Sequence, residues 1–495
     1  MHRALLLGVA LLGACSDDDT VDDGDRSAFG SPAVGIRIDW VEANQGVGVV
    51  IADAQGAVVA TERSASLVPH RRTLMRAFWA IDDAFVPRPI RAVLRLATPD
   101  GRQGALEVET FVDGPTSLAS LASSFAWGVT EDFAVPGATY DIELFESDPA
   151  FADGESPPQR FPAAGAFELG IEPAPARLHT VLVPIRYDDG DGCSTLPDTS
   201  PATLQYFHDT LFMMSPVEHV QLDLHEPIAF DERLESLSTL NTKLVELRAR
   251  ENAAPEIIYY GLVDICRADL DGVVGQAVGI PAIPPRRDEA HQRVASGLWR
   301  SSDLAGSAET FVHELGHTLG RTHVACRGDE GRSDPTYPVP RGAIGDWGFG
   351  VLDLLLRHPS SYADYMTYCH PAWVSRWGWN KVYPVVREMT TWTTAAFAEA
   401  PRGRMLLGVL LPSGAEHWTT TDGTMDPGQA RATIPFEAER ADGSLLHLTG
   451  FEFALPERDV ARLVMLPLPD RAAPLRHLVR IEGGSRFAVP AEAID

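Results

Sequence analysis

Three histidines fall in the run HELGHTLGRTH, at His313, His317 and His323. On a helix His313 and His317 stand one turn apart on the same face, so both imidazoles can reach one ion. Glu314 adjoins the first of them, where a carboxylate can take a proton from water held at that ion. Gly320 can adopt the left-handed backbone that ends a helix, after which the chain turns back and His323 approaches from another side. Three neutral imidazoles leave a fourth position open, the pattern of a catalytic rather than a structural zinc. From independent residue frequencies, HExxH arises by chance in roughly 3 chains in 100, and with Gly320 and His323 added in about 1 in 10,000. Chance is therefore a poor account of the run.

The helix that must carry the first two histidines is expected over residues 307–319. Ser307 is its cap, and Val312, Leu315 and Leu319 form an apolar stripe. Before it, residues 181–185, 220–224 and 257–263 read as strands, a helix begins at Ser200, and Leu234, Leu237, Leu240, Leu244 and Leu247 recur at helical spacing. Strands alternating with helices imply a mixed layer over 176–390. Residues 33–155 instead carry short alternating runs broken by Gly, Pro and Asp, which predicts a β-sandwich-like domain. A Pro/Gly-rich stretch, 156–175, reads as a linker. Beyond 395 the pattern returns to strands at 405–411, 445–454, 461–466 and 477–481, and a second β-sandwich is expected. The fold class is thus multidomain, an α+β catalytic domain flanked by two β-sandwich-like domains.

The 495 residues carry 41 Lys+Arg against 69 Asp+Glu, a net charge of −28, which argues against nucleic acid or an anionic membrane as a charge-driven partner. At the N-terminus a short apolar run ends in Leu12-Gly13-Ala14-Cys15. It is too short to span a bilayer and has the length of a signal-peptide core. Small residues before a cysteine resemble a bacterial lipobox, which implies cleavage before Cys15 and lipid on its thiol. Residues 1–15 then form the signal, and 16–32 an acidic, solvated tether. The expected place is the bacterial cell envelope, outside the cytoplasm, with the membrane reached only through Cys15. Four further cysteines, Cys193, Cys266, Cys326 and Cys369, suggest two disulfides, with three connectivities open.

The histidine run resembles the HExxHxxGxxH signature of the metzincin zinc endopeptidases. Their second mark is a methionine turn beneath the metal, and DYMTYC, with Met366, looks like it. Tyr368 lies two residues on, where several metzincin groups carry a tyrosine that ligates zinc or binds the transition state. Similarity to secreted bacterial members extends to RYDDGDGCSTLPDTS (186–200) and to segments at 337–348 and 366–375, so that it covers about 180–385. The run Arg376-Trp377-Gly378-Trp379 departs from the acidic-aromatic sequence expected there, which puts the substrate-side surface in doubt.

The resemblance implies zinc on His313, His317 and His323, peptide-bond hydrolysis with Glu314 as general base on a zinc-activated water, and Tyr368 beside the oxyanion. It implies a protein or glycoprotein substrate laid along an edge strand, for which residues 272–279 (GVVGQAVG) are the candidate, with an ordinary loop as their other reading. A monomer is expected. Cys326 and Cys369 each lie three residues beyond a site residue, so their pairing is favoured, leaving Cys193 with Cys266. Asp188, Asp189 and Asp191 read first as a solvated turn and second as a calcium site. His370 is either exposed or a substrate contact, and Trp373, Trp377 and Trp379 either line a cleft or pack as core. No cysteine lies between Cys15 and Cys193, which excludes a cysteine switch from the N-terminal region. Two rivals stand beside this reading. One is a surface adhesion or glycan-binding lipoprotein with a degenerate protease domain, and the other a zinc hydrolase of non-peptide amides.

Overall fold

Apolar alternation folds the first part of the chain into two antiparallel sheets. In this computed structural model, which describes residues 30–152, 157–267, 269–327, 333–392, 403–457, 461–469 and 475–494, one sheet runs in the order Gly56–Ala57, Gly48–Asp53, Ile36–Asn44, Thr73–Ile81, Phe125–Val129. The other runs Phe167–Glu168, Thr139–Glu146, Arg88–Ala97, Gln103–Val112. Met75, Ala77 and Trp79 from the first and Ala92, Leu94 and Ile142 from the second share one core, as in a sandwich. The signal segment, Cys15 and residues 16–29 of the tether lie outside the described residues. The stretch expected as a linker is more than that. Gln159–Phe161 and Phe167–Glu168 both pair with Thr139–Glu146. Phe161 and Phe167 meet edge-on at 5.4 Å, apolar surface that a solvated linker would have left in water.

The core under these sheets continues into the middle of the chain without a break. Arg71 is wholly buried there and donates to Gln45 O (2.9 Å), Val217 O (2.8 Å) and Phe212 O (2.8 Å). The Phe212 carbonyl belongs to the last turn of α1 (Pro201–Met214), where a cation satisfies groups the helix leaves unpaired. Burial pushes the guanidinium down to about 9. Replacing Arg71 by Met strands these carbonyls and should cost about 3 kcal/mol or more, read as a lower denaturant midpoint. An unchanged midpoint would mean that the anchor contributes nothing.

The middle of the chain holds a mixed sheet in the order Ser194–Thr195, Arg177–Asp188, Ile258–Val263, Val294–Leu298, Gly275–Ala277, with His219–Leu224 and Ile228–Phe230 also along Arg177–Asp188. The long strands are parallel, while Gly275–Ala277 runs antiparallel at the edge. Ile258–Val263 is buried on both faces, which explains its unbroken apolar run. Its Tyr260 and Leu262 share a core with Phe207 of α1 and with Phe311 and Leu315 of α3 (Leu304–Thr318). Tyr259 and Val263 face Leu240 and Leu244 of α2 (Leu237–Arg250). A Cβ on Gly261 would meet Leu244 at 2.7 Å, so the glycine lets α2 lie close. The last helix, α4 (Arg376–Trp392), runs through the expected domain's end and was not foreseen. Pro384 sits inside it, yet Trp379, Val382, Val386 and Met389 recur at helical spacing and are buried.

The C-terminal part is a single seven-stranded antiparallel sheet, in the order Glu416–Asp422, Arg404–Leu410, Arg462–Pro467, Leu445–Phe453, Ala432–Arg440, Leu475–Glu482, Ser485–Ala488. The expected second sandwich is thereby corrected. In place of an opposing sheet, Leu407, Val409, Leu463 and Met465 pack on α2. The reverse face covers a separate small core with Ile434, Phe436 and Ile494.

Where the two regions meet, His291 is buried beneath Gly423, whose Cβ would come within 2.5 Å of its Nδ1. Burial, and then Arg248 and Arg293, push His291 down to about 3. Its unfolded value is about 6.5, so below that the unfolded chain binds more protons. Stability from this group is therefore complete above about 6.5 and is lost as pH falls towards 3, by a total on the order of 5 kcal/mol. The pH dependence of the denaturant midpoint should flatten in His291→Gln, and an unaltered slope would contradict this.

Candidate metal centre

The helix that presents the first two histidines is capped by Asp303, whose side chain accepts from Gly306 N at 2.9 Å. Ser307 was the expected cap, but it lies inside the helix. Its hydroxyl is buried, donates back to Asp303 O and accepts from Arg300 N (both 3.0 Å), a role open to serine within a first turn. At the other end Gly320 has φ +83°, with Gly320 N on His317 O and Arg321 N on Gly316 O. These two bonds close the helix in a Schellman motif and send the chain back towards the face that carries His313 and His317.

His313, His317 and His323 thereby converge. Ring centroids lie 4.9 Å apart for His313 and His317, 4.7 Å for His317 and His323, and 5.3 Å for His313 and His323. His313 Nδ1 bonds Tyr365 O and His317 Nδ1 bonds Arg321 O, each at 2.7 Å. A carbonyl only accepts, so both rings carry their proton on Nδ1 and turn a lone pair inward at Nε2. His317 Nε2 and His323 Nε2 are 3.2 Å apart.

Glu314, the next residue along α3, lines the same cleft as His313 and packs against the edge strand Gly275–Ala277. A Cβ on Gly275 would meet Glu314 Oε1 at 2.4 Å, so only glycine there leaves the carboxylate its position. The GVVGQAVG segment thus includes an edge strand, and Gly275 is its closest approach to the site. The segment also bounds a cleft of about 440 Å³ shared with Thr310, His313, Glu314 and Tyr368.

Met366 is fully buried beneath the histidines, and Gly316 makes room for it. A Cβ at Gly316 would come within 2.3 Å of the Met366 sulfur. The turn itself hangs on buried Asp364, which accepts from Met366 N (2.9 Å) and from Ser375 Oγ, with Arg321 at 3.5 Å. Disulfides join Cys326 to Cys369 and Cys193 to Cys266. The first ties the loop after His323 to the segment after Met366. Disulfides belong to an oxidising compartment, and no described helix is long and apolar enough to cross a membrane.

Other expected residues fall as follows. Tyr368 is partly exposed, with its hydroxyl 3.2 Å from His323 Nε2. His370 is exposed and pairs with Glu309 at 2.7 Å, which raises its pKa. Trp373 and Trp379 are core, while Trp377 packs half-buried beside Tyr337. Asp188 and Asp189 turn their carboxylates to the loop's own N–H groups at Gly190, Asp191 and Cys193.

One site residue had no signal in the sequence. Glu457, from the C-terminal sheet, places Oε1 2.7 Å from His323 Nε2, 3.1 Å from His317 Nε2 and 3.4 Å from His313 Nε2. Its other oxygen accepts from the Tyr368 hydroxyl. Burial would raise its pKa, but the three rings hold it well below the usual carboxylate range. Burial first, and then the charge of Glu457, pushes Glu314 well above that range. His317 is pushed down to about 4, chiefly by burial and against the Glu457 contact, so it is neutral at pH 7.

Among the described residues these four side chains form a group that could hold a metal ion, with ligand atoms all within 4.8 Å of one another. The donor set fits one. Tetrahedral zinc, with N and O ligands at about 2.0–2.1 Å, holds its ligand atoms roughly 3.3 Å apart. His313 Nε2 and Glu314 Oε2 are also buried without a hydrogen-bond partner. Lone pairs crowded in this way repel one another unless a cation lies between them.

No family model matches the chain, and no curated protein does. Among solved structures, metalloproteinase-II from Bacteroides fragilis is similar at 14% identity, over 51% of this chain and 73% of that one, with a TM-score of 0.21.

Proposed function

We propose that the chain is a zinc endopeptidase of the metzincin kind, cleaving extracellular proteins, glycoproteins among them. The observation that carries this is the convergence of three histidine Nε2 atoms, two of them oriented by backbone carbonyls, beside a buried carboxylate at Glu314. His313, His317 and His323 would hold the ion, which when bound supplies Lewis-acid polarisation of water and of a carbonyl.

The chain's own residues do the rest. Val274 O and Val278 N are taken by Val294–Leu298, so Gly275 turns its backbone to the cleft, where an extended peptide can pair with it. Glu314, beside that strand, takes the proton of the attacking water at its carboxylate and returns it to the leaving amine. The Tyr368 hydroxyl stands where it can donate to the developing oxyanion. A cleft that runs along an edge strand suits a peptide better than it suits a small amide, which would want a closed pocket. Residues 1–15 are proposed as a lipoprotein signal, with lipid on Cys15 holding a monomeric enzyme to the cell envelope.

Metal removal tests the reading. Purified chain should retain about one zinc per molecule after dialysis, as one built site requires. Chelation should abolish its cleavage of unfolded casein, and added zinc should restore it. Cleavage that survives complete metal removal would refute the proposal.

A further inference from the structure

We propose that Glu457 is a fourth protein ligand of the metal, delivered by the C-terminal sheet, and that it holds the intact chain latent. The second half of this statement rests on the endopeptidase reading; the ligand assignment does not.

The geometry is that of a closed site. Glu457 Oε1 lies within 3.4 Å of all three Nε2 atoms, and its side chain is only 9% exposed. Three imidazoles and one carboxylate complete a tetrahedral set, which leaves no open position. Its second oxygen takes the Tyr368 hydroxyl. Those are the places a scissile carbonyl would need, so Glu457 and a substrate exclude each other.

The arm that carries Glu457 is built to reach. Phe453 pairs with Leu463 across neighbouring antiparallel strands, which leaves 463 − 453 − 1 = 9 residues between them. A connection of that kind needs only two to five. The described first part of the arm, residues 454–457, leaves the end of the strand and brings Glu457 to the histidines. Leu455, two residues before the glutamate, packs with the core between α2 and the C-terminal sheet. The arm is therefore anchored by the same apolar contact that docks the sheet. Whatever loosens that contact withdraws the carboxylate.

The test uses the full chain loaded with Co²⁺ and followed by its visible spectrum, with acetohydroxamate as a small chelating probe, beside casein cleavage by the zinc form. Glu457→Gln should change the cobalt spectrum, and it should bind acetohydroxamate at concentrations the parent ignores. It should also cleave faster by about 100-fold, the gain from lifting a 99:1 bias towards a closed state. Glu457→Asp, one methylene shorter, keeps the charge and should fall between the two, which guards against a variant that merely misfolds. Identical spectra and probe binding in parent and variants would overturn the ligand assignment. Changed spectra with equal, measurable cleavage would overturn latency alone. Changed spectra and probe binding with no cleavage by any form would uphold the ligand and remove the endopeptidase reading.

Discussion

Glu314→Gln is expected to lower casein cleavage by about 10²–10⁴-fold, the usual contribution of a general base, while zinc content stays the same. The substitution keeps the shape and removes the capacity to take a proton. Glu314 is not one of the four side chains that could hold the ion; it packs against Gly275, and one of its oxygens is buried without a hydrogen-bond partner. Loss of the ion is therefore no route to the effect. Its value lies in separating binding from chemistry: undiminished activity with zinc bound would remove Glu314 from the mechanism. Measuring both quantities on the same preparation, with the parent chain alongside, decides the matter.

The second large effect is expected at His317. Its ring is wholly buried, neutral at pH 7 and fixed through Nδ1 to Arg321 O. His317→Ala should weaken zinc binding by more than about 100-fold, since loss of an outer-shell partner alone costs 10–100-fold. Linkage gives an independent readout. Zinc at 100 times Kd should stabilise the parent by about 2.7 kcal/mol, and the same zinc should leave the variant's melting temperature unmoved. A variant that still melts higher with zinc would show that the ion sits elsewhere.

How much of this is legible in the sequence depends on the range of each interaction. The three histidines and Gly320 are local: one helical turn and one left-handed residue bring them together, so spacing alone names them. Ser307 misled for a related reason. Its type suits a cap, yet Asp303 four residues earlier does the same with its carboxylate and leaves the serine inside. Gly275 and Gly316 are different. Each is glycine because a side chain from elsewhere, Glu314 or Met366, needs the space, and no periodicity announces that.

Glu457 is the extreme case. It reaches His323 across 134 residues of sequence, from a segment that reads as an ordinary loop, and only tertiary packing makes the contact. The C-terminal sheet erred in the same way. Its strands were visible as apolar runs, but whether their inner face meets another sheet or a helix is decided by α2, far earlier in the chain.

Arg71 bears on how the chain is made. It bonds the carbonyl of Val217, 146 residues later, and a buried guanidinium without that partner would be costly. Emerging from a ribosome or a translocation pore, the first sheets carry this arginine before α1, which receives it, has been made. Glu457 comes out later still, after the histidines it meets. The order in which segments appear is thus not the order in which their partners do, and the three rings are made long before the carboxylate that meets them.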